Sequence, residues 1–311
     1  MRWKLGLALA ALATAGLVLV FVALAASDEA AAWRELPAPP LSPRETPTGF
    51  WTGEEVVLVG GSDAPPCPPT AACSVPRVAP LADGAAYDPA IGAWRAIADA
   101  PVGFSWAEPE LIDGSAYLWI AGENGRPNAP SAFLAYRIEE DRWEQLDLPT
   151  RDLGWHEVLA AGDRIVAHTY DDSDGERPDY VFETQTSTWR ELPDDPFDDP
   201  YSRELAWDGS RLLLFDHRER DESSEAPLRG AAFDFERDEW QLLDDPEAAL
   251  ENLPERETPP QTPELAPAAE AYGGTTEVLA GDDLFVFLGS EWSEPEGRLH
   301  SRAWLWSPQS E

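Results

Sequence analysis

AAYDPAIGAW (residues 85–94), LAYRIEEDRW (134–143), YVFETQTSTW (180–189) and AAFDFERDEW (231–240) each hold an aromatic ring seven positions ahead of a tryptophan. The pairs are Tyr87 and Trp94, Tyr136 and Trp143, Phe182 and Trp189, and Phe233 and Trp240. One spacing met four times marks an internal repeat. The spacing suits a β-hairpin, with the first ring on one strand, a polar turn between, and the tryptophan on the next strand. Both rings can then be buried between neighbouring sheets.

A second block precedes each hairpin: a short strand, a glycine-bearing turn and an apolar strand. Its copies are FWTGEEVVLVGG from Phe50, ELIDGSAYLWIAG from Glu110, EVLAAGDRIVAH from Glu157, ELAWDGSRLLLF from Glu204 and EVLAGDDLFVFLG from Glu277. Four strands per repeat and five repeats predict an all-β, five-bladed β-propeller over residues 32–311. The predicted blades are 49–98, 103–148, 155–194, 202–244 and 271–311. The last copy stops after RAWLWSP, one strand short, while Ala32-Trp33-Arg34-Glu35-Leu36-Pro37 resembles Thr188-Trp189-Arg190-Glu191-Leu192-Pro193. The N-terminal strand 32–37 is therefore expected to complete the last blade, which removes open sheet edges. Residues 245–270, rich in Pro and Glu, read as a linker between the fourth and fifth blades.

The glycine doublet Gly60-Gly61, followed by Tyr87, six residues and Trp94, resembles the Kelch repeat. The other copies keep the aromatic and tryptophan but carry Ala121-Gly122, Ala167-His168, Phe215-Asp216 and Leu288-Gly289 at the doublet. The resemblance implies a propeller and no single activity, because that fold hosts enzymes, scaffolds and receptors alike. A copper oxidase of Kelch type would need a cofactor joining Cys to Tyr. Cys67 and Cys73 sit in a proline-rich insertion, so that copper site does not carry over.

Acidic residues number 59 against 22 basic ones, for a net charge of −37. Such a surface repels phosphate backbones and anionic membrane, which argues against nucleic-acid binding. The excess serves solubility in salt or attracts basic partners. Arg2 and Lys4 precede an apolar run from Leu5 to Ala26, giving residues 1–27 the pattern of a signal peptide or an N-terminal transmembrane anchor. The bulk of the chain is then extracytoplasmic, secreted or anchored, and touches membrane only through that segment. In an oxidising compartment Cys67 and Cys73 are expected to form a disulfide; free thiols or half of a metal site are the alternatives.

Glu110, Glu157, Glu204 and Glu277 each precede the turn glycine of an innermost strand, at offsets of four or five residues. They are the candidate ligand-binding residues. Convergent carboxylates suit Ca²⁺ or a cationic ligand, while solvated acids in a wet channel are the plainer alternative. The acidic stretch Tyr170 to Asp179 reads as a hairpin loop, since it lacks the closing glutamate of a calcium loop. Loop tryptophans Trp106, Trp155 and Trp292 either meet a ligand or pack on their own blades. No nucleophile elbow, phosphate loop or zinc motif occurs. The expected function is a monomeric, non-catalytic, cofactor-free scaffold for a protein or other extracytoplasmic ligand. The alternative is a carboxylate-dependent, glycosidase-like hydrolase using the channel-mouth glutamates.

Overall fold

The computed structural model describes residues 33–64, 78–121, 131–149, 157–168, 178–197, 203–216, 228–254, 275–293 and 298–307. The apolar segment 5–26, Cys67, Cys73, Trp155, residues 170–177 and residues 255–270 lie outside the described residues.

The described residues form five four-stranded antiparallel sheets. Sheet one holds β2 (Thr48–Trp51), β3 (Val56–Val59), β4 (Gly84–Asp88) and β5 (Ala93–Ile97). Sheet two holds β6 (Pro109–Ile112), β7 (Ser115–Ile120), β8 (Ala132–Arg137) and β9 (Arg142–Leu146). Sheet three holds β10 (Glu157–Ala161), β11 (Arg164–His168), β12 (Tyr180–Glu183) and β13 (Thr188–Glu191). Sheet four holds β14 (Arg203–Trp207), β15 (Leu212–Asp216), β16 (Arg229–Asp234) and β17 (Glu239–Leu242). Sheet five holds β18 (Thr275–Ala280), β19 (Asp283–Ser293), β20 (Arg298–Trp306) and, from the other end of the chain, β1 (Arg34–Glu35). First strands lie side by side in the order β18, β2, β6, β10, β14. The arrangement is consistent with a five-bladed propeller.

The repeated hairpin has the geometry its spacing demands. Tyr87 lies opposite Trp94, Tyr136 opposite Trp143, Phe182 opposite Trp189 and Phe233 opposite Trp240. Their ring centroids are 5.1, 4.8, 5.0 and 5.1 Å apart. Two residues before each tryptophan the backbone turns left-handed, at Gly92, Asp141, Ser187 and Asp238. Gly, Asp and Ser are residues that tight turns favour, and Gly and Asp accept the left-handed conformation readily. β1 continues the pattern: Arg34 faces Leu305 and Glu35 faces Trp304, so the same register sets Trp33 opposite Trp306.

Each of four tryptophans also ties its sheet to the one before. Trp94 Nε1 donates to the Pro37 carbonyl at 2.8 Å, and Trp143 to Ala98 at 2.9 Å. Trp189 donates to Asp147 at 2.7 Å, and Trp240 to Pro193 at 2.9 Å. The acceptor is always four residues beyond the preceding sheet's tryptophan, with Trp33 serving as that tryptophan for Pro37. Apolar clusters fill the spaces between sheets one and two, two and three, three and four, and five and one.

The glycine doublet of sheet one answers a close approach. A Cβ on Gly60 would stand 2.4 Å from the Phe104 carbonyl oxygen, and one on Gly61 would stand 2.8 Å from that of Glu45. Both glycines have positive φ, so any side chain there would be strained as well as crowded.

The linker expected at 245–270 begins with structure. Helix α1 (Pro246–Glu251) is capped by Asp245, whose side chain accepts from Ala248 N, and starts with proline at its first turn. Ala249, Leu250 and Leu253 pack on Leu213, Phe215 and Ala232 of sheet four. No helix among the described residues is long and apolar enough to cross a membrane.

Candidate functional site

Register decides which first-strand residues are equivalent. The third-strand aromatics Tyr87, Tyr136, Phe182, Phe233 and Trp306 lie opposite Val56, Ala116, Ile165, Leu212 and Leu284. Those in turn face Trp51, Leu111, Ala160, Trp207 and Leu279 on the first strands. Three residues back from each lies a common rung: Thr48, Glu108, Glu157, Glu204 and Thr276.

The candidate residues Glu110, Glu157, Glu204 and Glu277 therefore do not occupy equivalent positions. Glu157 and Glu204 share the rung. Glu110 lies two residues nearer the turn, and Glu277 lies one residue nearer and on the opposite face of its sheet. Glu108, not foreseen, takes the place in sheet two. The glycine offsets misled because glycine takes different places in the turns, and because Glu277 stands four residues ahead of its glycine where Glu157 stands five ahead of an equivalent one. Asp113-Gly114 is a two-residue turn with both φ positive, at 47° and 71°, so its glycine comes second. Gly162 and Gly281 come first in theirs, and sheets one and four use four-residue turns.

Glu108, Glu157 and Glu204 are all exposed; Glu157 and Glu204 lie on β10 and β14, and Glu108 immediately precedes β6. Glu157 Oε2 lies 3.6 Å from Nε2 of His168, its buried cross-strand partner. Glu110 is half-buried and Glu277 exposed. Among the described residues no group of three or more His, Cys, Asp or Glu could hold a metal ion. The three glutamates of the rung thus place carboxylates at three neighbouring sheets.

Beside this rung stands Trp106, which is 73% exposed, two residues ahead of Glu108. It does not pack into its own sheet. Its backbone is left-handed, with φ 57°, and its N–H donates to the carbonyl of Thr46, itself at φ 48°. Left-handed backbone is costly for a β-branched threonine. The Thr48 hydroxyl holds the segment that leads into β6 by accepting from Ala107 N and donating to Ala107 O, both at 3.1 Å. Trp292 lies on β19 opposite Leu299.

Two further polar features depend on tertiary contact. Arg203, Asp179 and Asp195 form a buried cluster between sheets three and four, with Arg203 Nη2 at 2.6 Å from Asp179 and 2.8 Å from Asp195. Burial pushes the Asp195 carboxyl above its ordinary range, and the Arg203 charge only partly offsets this. At the turn end of sheet four, a cavity of about 590 Å³ is lined by Trp207, Phe235 and the arginines Arg164, Arg211 and Arg237. Each of these arginines is paired with a neighbouring aspartate.

Compared with known proteins, the chain matches no family model and no curated sequence.

Proposed function

We propose that this chain is an exported five-bladed β-propeller of Kelch type that works as a binding scaffold, not as a catalyst, and captures a basic segment of a partner. The observation that carries the proposal is the rung of Glu108, Glu157 and Glu204, exposed on or immediately ahead of three adjacent inner strands beside the exposed Trp106. Carboxylates spread over several strands suit an extended, multiply charged cation better than a single ion. An exposed indole face adds about 0.5–1 kcal/mol for a guanidinium or ammonium group resting on it. The net charge of −37 draws basic partners in and raises their association rate. Export is supported by the apolar run from Leu5 to Ala26 behind Arg2 and Lys4. The ring is supported by β1 completing sheet five and by the Trp94 bond to Pro37.

The test separates a site from bulk charge. A fluorescein-labelled peptide of alternating Arg and Gly is titrated by anisotropy against wild type and the triple variant Glu108→Gln, Glu157→Gln, Glu204→Gln. A control triple, Glu54→Gln, Glu139→Gln, Glu239→Gln, removes the same charge elsewhere. At ~0.2–1 kcal/mol for each exposed ion pair, the first triple should lose about tenfold in affinity. The control should lose under about twofold. Equal losses from both would leave only non-specific attraction and defeat the proposal.

A further inference from the structure

Sheet three differs from the other four at one level, and that level is the glutamate rung. Counted three residues from the hairpin aromatic toward the rung, the second and third strands pair Val59 with Gly84, Trp119 with Phe133, Phe215 with Gly230 and Phe287 with Ala303. All eight are buried, and none can ionise. In sheet three the same two places fall to His168 and Asp179, one residue beyond the pair of Ala167 with Tyr180. Both are buried as well, His168 at 4% exposure. Burying two ionisable groups where every other sheet buries none costs stability, and such departures mark functional positions.

The two belong to a line of ionisable side chains between sheets three and four. The line starts at Glu157 of the rung, whose Oε2 lies 3.6 Å from His168 Nε2. Asp179 follows, held at its two carboxylate oxygens by Arg203 of β14 at 3.2 and 2.6 Å. Arg203 donates also to Asp195, at 2.8 Å. Three carboxylates outnumber one permanent cation, so the line favours an added proton. Burial raises the Asp195 carboxyl for this reason among others, but Asp195 joins at the far end, through Arg203. His168 is the member that carries a proton directly against the rung, and imidazole is the side chain that gains its charge between about pH 5 and 8. Of the other ionisable neighbours, Tyr180 turns to the opposite face and packs on Trp189. Glu204, next to Arg203, turns to the far face of sheet four.

We infer that His168 is a proton-operated control of the rung. Neutral, it leaves the Glu157 carboxylate to a cationic partner. Protonated, it takes that carboxylate as its own ion pair and sets a positive charge where the partner's charge would lie. A basic segment captured at neutral pH is then released in an acidic medium. The inference rests on the binding reading proposed above and adds to it the condition under which the partner is let go.

Two measurements on the full chain test it. The first is anisotropy with an N-acetylated peptide of alternating Arg and Gly carrying a rhodamine, a probe that does not titrate in this range. The weakening of binding between pH 7.5 and pH 5.5 should be about fivefold greater in wild type than in His168→Gln. Carboxylates that titrate elsewhere are common to both proteins and cancel in the comparison. His168→Phe, which copies Phe215 and Phe287, takes the place of His168→Gln where that variant fails to melt cooperatively. The second is NMR of the imidazole C–H signals, with His168 assigned as the one lost in His168→Gln. Its titration should move to lower pH by at least about half a unit in Glu157→Gln, which removes the counter-charge. Bound peptide should move it the same way, because linkage is reciprocal. An equal pH dependence in wild type and the His168 variants, or a His168 titration that Glu157→Gln leaves in place, would overturn the control. Failure of the binding reading looks different. The triple glutamate variant and its charge control would then bind alike at pH 7.5, which removes the partner and with it the release, while the His168 shift in Glu157→Gln persists.

Discussion

Exchanging Asp83 for Asn should cost this protein more than removing Arg44, although the two form one ion pair. Arg44 is fully buried and donates to both Asp83 carboxylate oxygens at 2.9 and 2.8 Å. It also donates to the carbonyls of Gly60 at 3.1 Å, Asp83 at 3.2 Å and Ser42 at 3.0 Å, and to the Ser42 hydroxyl. The Asp83 side chain is 45% exposed. Asp83→Asn leaves a guanidinium charge with no access to water and no counter-ion, a loss of about 3–5 kcal/mol. Arg44→Met removes the buried charge, lets the Asp83 carboxylate rehydrate, and strands mainly the carbonyl acceptors, a loss of about 2 kcal/mol. The Arg44 hydrogen bonds hold the Asp83 carboxyl below its ordinary range, outweighing its partial burial. The stability this supplies is present above the ordinary carboxylate pKa and is lost as pH falls through the lowered folded value. Urea unfolding followed by tryptophan fluorescence should therefore rank wild type, then Arg44→Met, then Asp83→Asn at pH 7. The gap between wild type and Asp83→Asn should close on acidification. Arg44→Met costing as much as Asp83→Asn would refute the electrostatic asymmetry.

The tryptophan tethers predict a second asymmetry. Trp189→Phe removes a bonded N–H and should cost about 1–2 kcal/mol more than Trp33→Phe, which removes a buried N–H that has no partner among the described residues; equal losses in urea would show that the tethers contribute nothing. Asp195 predicts a pH effect of opposite sign to Asp83. Its raised folded pKa favours the folded state at low pH, a contribution that fades as pH rises through that value. Asp195→Asn lacks this dependence, so its stability relative to wild type should improve between pH 4 and pH 7, and a constant difference across that range would exclude the effect.

What sequence determined about this protein is what eight neighbouring residues can decide among themselves. The aromatic, the left-handed turn residue and the tryptophan of each hairpin lie within one short span, so Tyr87 to Trp94 is legible without knowing what surrounds it. The return of Trp33 to sheet five was legible for the same reason, because its local pattern copies Trp189. The glutamates show where local reading ends. A glycine marks each bend, yet it comes second in the turn after Glu110 and first in the turn after Glu157, and that difference moves every side chain counted back from it. Only counting back from the cross-strand pairs set Glu108, one residue ahead of β6, level with Glu157 and Glu204. Arg44 and Asp83 are 39 positions apart, and each tryptophan reaches its acceptor across more than 40. No local pattern announces such contacts. The tertiary structure decided them, because burial between sheets is what makes a charge need its partner and an N–H need a carbonyl.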